Sequence, residues 1–291
     1  MRGPDRVAMA ARRADGAIVV RVVPLPRWAE RLASIPLLRG VGSLVESIRM
    51  GLDALRWSAT IAEPQARATT PTGLTRVGEV AVTGLAIAIA IVVFSAGPAL
   101  VASGTVGVVG PLGRSAIEAI LGLVLLVGYI VVVRHQSLVR RTFEYHGAEH
   151  KAVAAHEAGD PLVPAAAARR STRHERCGTT FLLDVAVLSA LVHIVTNTVW
   201  PSGIEMVLAR LATIPVVAGL AYEVMRATAR NAGTWWSRLL TVPGLALQAL
   251  TTGEPDEHQL EVALVALEAA LPTGTITIGT EVEMSNPGVA A

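Results

Sequence analysis

Four long apolar runs with almost no charge fill the middle of the chain, and shorter amphipathic stretches flank them. A helix rises 1.5 Å per residue, so about 20 apolar residues cross the hydrocarbon of a bilayer. Residues 77–101 carry one charge, Glu79, and residues 115–133 carry Glu118 near one end. Residues 181–200 and 204–224 follow, joined by Pro201-Ser202-Gly203. The pattern predicts four spanning helices. Gly97-Pro98 should end or kink the first. The Gly-rich stretch 99–113 is expected to dip back into the membrane, and Trp200 to anchor the third span at an interface.

The flanks read differently. Val7–Ala11 and Ile18–Val23 surround Asp15-Gly16, a pattern for a small β-hairpin that Pro24 and Pro26 terminate. Residues 28–62 should be helical, interrupted near Pro36 and Gly40–Gly42, with a stripe of Leu44, Val45, Ile48, Leu52 and Leu55 set to pack on the rest of the protein. Residues 63–75 read as a Pro/Thr/Ala linker. Residues 134–159 are helical in character, with Gly159 as the stop. Residues 235–250 are apolar around Pro243-Gly244 and are expected to form an interfacial or re-entrant helix. Asp256 and Gln259 form a capping box that opens a helix to Leu271. The stripe Leu260, Leu264, Leu267 and Leu271 on that helix suggests docking on a partner protein. The fold class is an all-α polytopic membrane protein with four transmembrane helices, a small N-terminal β-hairpin and a helical cytoplasmic loop. Its expected regions are 1–76, 77–133, 134–180, 181–225 and 226–271, with 272–291 as a disordered tail.

Composition supports a membrane chain with water-exposed parts. Of the 291 residues 52% are hydrophobic and 16% charged, and mean hydropathy is +0.51; soluble domains carry about 25% charged residues. Residues 1–30 are Arg-rich and lack a continuous apolar core, so no secretory signal is expected there. One cysteine excludes an internal disulfide. Of 25 Lys and Arg residues, 12 precede the first span, eight lie between spans two and three, and three follow span four. The positive-inside rule then places both termini and the 134–180 loop in the cytoplasm. Because topology demands these basic residues, they argue against nucleic-acid binding; the expected partner is the lipid bilayer.

The candidate chemistry gathers in the 134–180 loop. Four of seven histidines (His146, His150, His156 and His174) and Cys177 fall within residues 144–178 of it. His146 and His150 are four apart and share a helix face, so one ion could take both imidazoles. Glu157 lies on that face and His156 does not. Glu149 sits beside the histidines as a candidate catalytic base, in the His-x-x-Glu-His order also used by inverted zinc peptidases. A catalytic zinc needs at least three protein ligands. His174 and Cys177 are three apart, and counting outward from the turn near Ser202 places Glu223 level with residue 181, close to Asp184. The candidate metal ligands are therefore His146, His150, His174, Cys177 and Glu223, with zinc as the default divalent ion given nitrogen and sulfur donors. His193, Asn197 and Arg210 lie in the outer halves of the last two spans and are expected to pair structurally.

Residues 141–152, Arg-Thr-Phe-Glu-Tyr-His-Gly-Ala-Glu-His-Lys-Ala, and 174–181, His-Glu-Arg-Cys-Gly-Thr-Thr-Phe, resemble the YqhQ-like family of bacterial membrane proteins of unknown function (domain of unknown function 1385). Ala221–Val224, Pro243–Gln248, Leu250–Pro255 and Gln259–Ala263 add to the likeness, which covers residues 1–271. The family's label, predicted metal-dependent enzyme, derives from the same motif. The resemblance implies a bacterial cytoplasmic (inner) membrane. Family members carry a Gly-rich segment before the Gly-Pro that is Gly3-Pro4 here; a start site placed too late would explain its absence, whereas a real truncation would remove any N-terminal contribution to the site. Glu175 stands where Pro is expected and Gly253 where a basic residue is expected. Together these features point to a metal-dependent, hydrolytic enzyme at the cytoplasmic membrane face; the alternative is a non-catalytic scaffold or assembly factor.

Overall fold

The computed structural model describes residues 1–25, 32, 34–62, 73–105, 107–174, 177–200, 203–272, 274 and 276–284, with the backbone alone at 73–77, 79–80, 87 and 91. The predicted stop at Pro26, the start of the first helix at Trp28, most of the 63–75 linker and the turn residues 201–202 lie outside these.

Strands β1 (Arg6–Arg12) and β2 (Ile18–Pro24) form the expected antiparallel hairpin, in register from Arg6 opposite Pro24 to Arg12 opposite Ile18. Gly16 takes a φ of 91° in the turn, a conformation open to glycine at no steric cost. Residues Glu281–Met284, expected to be disordered, instead form β3 on the free edge of β2. A sheet edge offers unpaired N–H and C=O groups, and this short segment satisfies them. Residues 285–291 of that tail lie outside the described residues.

The sheet is covered on both faces, which accounts for apolar residues at both alternating positions of β2 on either side of Arg21. Helix α1 (Leu38–Ala62) brings Trp57 and Ile61 onto Met9, Ala11 and Val19. After it come α2 (Gly73–Ile91), a single π turn over Val92–Ala96, α3 (Gly97–Ser103) and α4 (Pro111–Val133). Then follow α5 (Ser137–Glu157), the short α6 (Pro164–Ala167), α7 (Gly178–Val199), α8 (Gly203–Arg230), α9 (Trp235–Thr251) and α10 (Glu257–Ala270). On the other face of the sheet, α10 sets Val262, Ala269 and Ala270 against Ala8, Ile18, Val20 and Val22.

The capping box at Asp256 and Gln259 is present. The leucine stripe it introduces does not await another protein. Leu260, Leu264 and Leu267 are buried on Ala148, Ala152 and Ala155 of α5 and Ala167 of α6. Burying each leucine stabilises the contact by about 1.5–3 kcal/mol. Helix α10 is thus a two-sided wedge that fixes α5 relative to the sheet.

Among the described residues, four segments are long and apolar enough to cross a membrane: Ala81–Ser103, Pro111–Val133, Gly178–Val199 and Gly203–Arg230. The first does not end at Gly97-Pro98. Proline lacks an N–H, and the helix widens into the π turn just before it, then continues through α3. The expected re-entrant stretch thereby belongs partly to the first span. Helix α1 likewise runs unbroken through Gly40 and Gly42. A Cβ at Gly40 would sit 2.7 Å from Tyr222 Cβ and 3.0 Å from Gly219 Cα, so this glycine allows α1 to cross α8 closely. The α1 stripe was expected to pack inward, yet Val45, Ile48 and Leu55 are exposed and the packed face carries Gly40, Gly42, Glu46, Trp57 and Ile61.

Inside the spans, Glu118 of α4 joins the polar residues of the last hairpin. It accepts hydrogen bonds from both terminal nitrogens of Arg210 and from His193 Nδ1 at 2.7 Å. Asn197 Oδ1 accepts from Arg210 at 2.9 Å, and Asn197 Nδ2 donates to Ser115 at 3.0 Å. The expected pairing of His193, Asn197 and Arg210 therefore spans three helices, with Glu118 as its acceptor.

Candidate metal centre

Helix α5 places the two histidines one turn apart, with ring centroids 4.4 Å apart and ring planes inclined by 65°. Neither ring is free to turn. His146 Nδ1 donates to the Thr251 carbonyl at 2.9 Å, where α9 ends, and His150 Nδ1 donates to the Thr172 carbonyl at 2.5 Å. A carbonyl accepts only, so each Nδ1 carries the proton and each Nε2 is left as the donor atom for an ion. Such backbone partners on the far nitrogen are what metal-bound imidazoles use to fix tautomer and direction.

Cys177 completes the group. It caps the N-terminus of α7, its Sγ accepting from Thr179 N, and it lies 3.1 Å from His146 Nε2. Among the described residues, ligand atoms of His146, His150 and Cys177 all lie within 4.8 Å of one another. A tetrahedral zinc ion, at about 2.0–2.1 Å from nitrogen and about 2.3 Å from sulfur, spaces such ligands about 3.5 Å apart. The donor set and spacing fit an ion held by three protein ligands.

Burial pushes the Cys177 thiol up, but hydrogen bonds from His146, His150 and Thr179 outweigh it and bring the thiol down to about 5. A helix N-terminus favours the same charge. For His146, burial acts to lower the ring's pKa, yet the Cys177 hydrogen bond and charge, the Thr251 carbonyl and the Glu149 charge together raise it above 6.5. The two shifts have one origin, the close approach of the thiol and the imidazole.

The surrounding contacts are close. A Cβ at Gly147 would fall 2.0 Å from the Gly253 carbonyl oxygen, and Gly253 N donates to Phe143 O at 2.8 Å. Glu144 accepts from Gln259 Nε2 at 3.0 Å. Buried Lys151 reaches Ala168 O at 2.7 Å and Glu254 at 2.6 Å. The fully buried Gln248 clamps the backbone of His174, accepting from His174 N and donating to His174 O at 3.0 and 2.9 Å. These supports were missed in the sequence, although Gln248 had a signal: an amide in an apolar helix.

Not every sequence candidate arrives at the centre. His174 lies beside it, its ring 5.9 Å from that of His150, but its Nε2 meets Glu157 at 3.0 Å. Glu223 is held elsewhere, by the Arg39 guanidinium and by Leu37 N. Asp184, on the second turn of α7, is also outside the group, and residues 175–176 are not described. Glu149 is exposed next to the histidines. A cleft of about 190 Å³ adjoins the centre through His174 and is lined by Glu157, Arg173, Thr228, Ala229, Ala232 and Thr241.

Four membrane-capable helices and a histidine–histidine–cysteine group at one end of them define a membrane protein with a possible metal-binding group. Residues 35–273 match the family described as "Protein of unknown function (DUF1385)", and the chain belongs to that family. It is 31% identical over 286 residues to "Uncharacterized protein YqhQ" of Bacillus subtilis (strain 168), covering 92% of this chain and 88% of that protein. No solved structure matches.

Proposed function

We propose that this chain is a multi-pass protein of the bacterial cytoplasmic membrane, with both termini in the cytoplasm, that holds a divalent metal at His146, His150 and Cys177 for a hydrolytic reaction. The observation that carries the proposal is the pairing of both Nδ1 atoms with backbone carbonyls, which leaves two Nε2 atoms and one thiolate directed at a common point. Zinc suits the donors. When bound, it would supply Lewis acidity, bringing the pKa of water toward neutrality. Glu149 is the base of this scheme, taking the proton of the attacking water from its exposed position beside both ligands. The cleft bordered by His174 and Glu157 receives the substrate.

A structural role has an observation of its own. The two histidines tie α5 to the 172 and 251 backbone segments, so an ion there would also hold three parts of the chain together. Glu149→Gln separates the readings. As an enzyme, the variant keeps its metal and folded stability but loses the ability to complement a deletion strain, in line with a base worth about 10²–10⁴-fold in rate. Full complementation by Glu149→Gln would establish the scaffold instead.

Zinc binding should depend on pH with a definite sign. The Cys177 thiol is brought down to about 5, whereas His146 is raised despite its burial, by the Cys177 hydrogen bond and charge. Binding must displace any proton on either ligand, so affinity is expected to fall as pH drops, first as the imidazole takes up a proton and more steeply below about 5, where the thiolate does too. Calorimetric titrations in buffers of different ionisation enthalpy read the released proton directly. An affinity constant from pH 8 to pH 5 would contradict this.

A further inference from the structure

Helix α9 inverts the usual arrangement of an amphipathic helix. Ser237, Thr241, Gly244, Gln248 and Thr251 form one continuous stripe and are buried, whereas Trp235, Leu239 and Val242 form the opposite stripe and are 77%, 66% and 58% exposed. A surface helix in water turns its apolar stripe inward. The buried polar groups here have partners: Ser237 Oγ donates to Thr228 O of α8 at 2.9 Å, and Thr241 Oγ1 donates to Ser237 O at 2.9 Å. Gly244 meets Thr180 of α7 so closely that a Cβ would lie 2.5 Å from Thr180 Cγ2. The polar face is therefore committed to packing, and the apolar face is left outward.

We infer that α9 lies along the boundary between headgroups and acyl chains, in the leaflet on the side of the sheet, as a fifth membrane-embedded element. The helix cannot cross. It starts just after α8 ends at Arg230 and finishes at Thr251, whose carbonyl holds His146 of α5, so both of its ends lie on one side of the four spans. Seventeen residues make a rod of about 25 Å running along the surface. The two spans it packs against also expose apolar residues, including Leu182 and Val187 of α7 and Val216 of α8. An apolar face outward on a helix packed against lipid-facing spans is matched by lipid as its occupant. Exposed Arg238, within the apolar face, and Arg230 at the end of α8 are suited to the phosphates of an interface. The inference rests on the four spans crossing a bilayer and is independent of the metal.

The test uses the full-length protein in lipid nanodiscs, with one environment-sensitive fluorophore on an introduced cysteine. Leu239→Cys and Val242→Cys probe the stripe, Leu123→Cys reports a span, and His258→Cys reports the water-exposed start of α10. Wild-type protein treated in parallel checks that buried Cys177 stays unlabelled. Both stripe positions are expected to show blue-shifted emission and stronger quenching by lipids carrying the quencher near the glycerol than near the acyl-chain end, with Leu123→Cys showing the reverse order. Quenching by aqueous iodide at the level of His258→Cys would overturn the inference. So would the deep quenching pattern of Leu123→Cys, or protection from every quencher together with disulfide cross-linking of two copies through Leu239→Cys.

Discussion

Gly147→Ala is expected to destabilise the protein by about 3 kcal/mol or more and to impair metal binding with it. The added methyl would sit 2.0 Å from the Gly253 carbonyl oxygen, a backbone atom that cannot turn aside as a side chain would. Relief requires α5 to separate from the 251–253 segment. That segment supplies the carbonyl that holds His146, while Thr172, whose Cγ2 is 3.3 Å from the same Cβ position, supplies the one that holds His150. Thermal unfolding in detergent and metal content of the purified variant check this. A variant with wild-type melting temperature and full metal content would show that α5 and the 251–253 segment are not so closely packed.

The second large effect lies in the spans. Glu118→Ala is expected to cost about 3–5 kcal/mol, because it leaves the Arg210 guanidinium, 5% exposed, without its counter-charge. Removing both charges should be far milder: Glu118→Leu with Arg210→Met is expected to recover most of the lost stability, since well-packed apolar residues can replace a buried pair. Melting temperatures of the single and double variants in the same detergent measure the difference. Equal stability of Glu118→Ala and wild type would mean that the pair is not buried within the spans.

The sequence made the spans legible through the lengths of their apolar runs, and two of the three grouped ligands through the four-residue spacing of His146 and His150. Cys177 was legible from position, being placed by the start of the third span. Glu223 shows what such reasoning lacks. Counting residues from a turn gives height along a helix but no direction around it, and Arg39, 184 residues earlier, takes that carboxylate. His174 was expected as a ligand from its spacing to Cys177, but Glu157 and Gln248 hold its ring and backbone in another arrangement. The leucines of α10 identified an apolar face correctly and its partner incorrectly, because α5 offers alanines whose significance depends on what they face. Strand β3 was hidden because Glu281–Met284 has little strand character of its own and forms on an edge made at the other end of the chain.

The proposed metal centre has one most direct measurement: metal analysis of detergent-purified wild-type protein beside His150→Ala and Cys177→Ser, with X-ray absorption on the metal-loaded wild type. The account predicts one divalent ion per chain with mixed nitrogen and sulfur ligation, loss of the ion in His150→Ala, and loss of the sulfur signal or of the ion itself in Cys177→Ser. Wild-type protein that retains no stoichiometric metal, or a metal content and ligand signature unchanged by both substitutions, would contradict it.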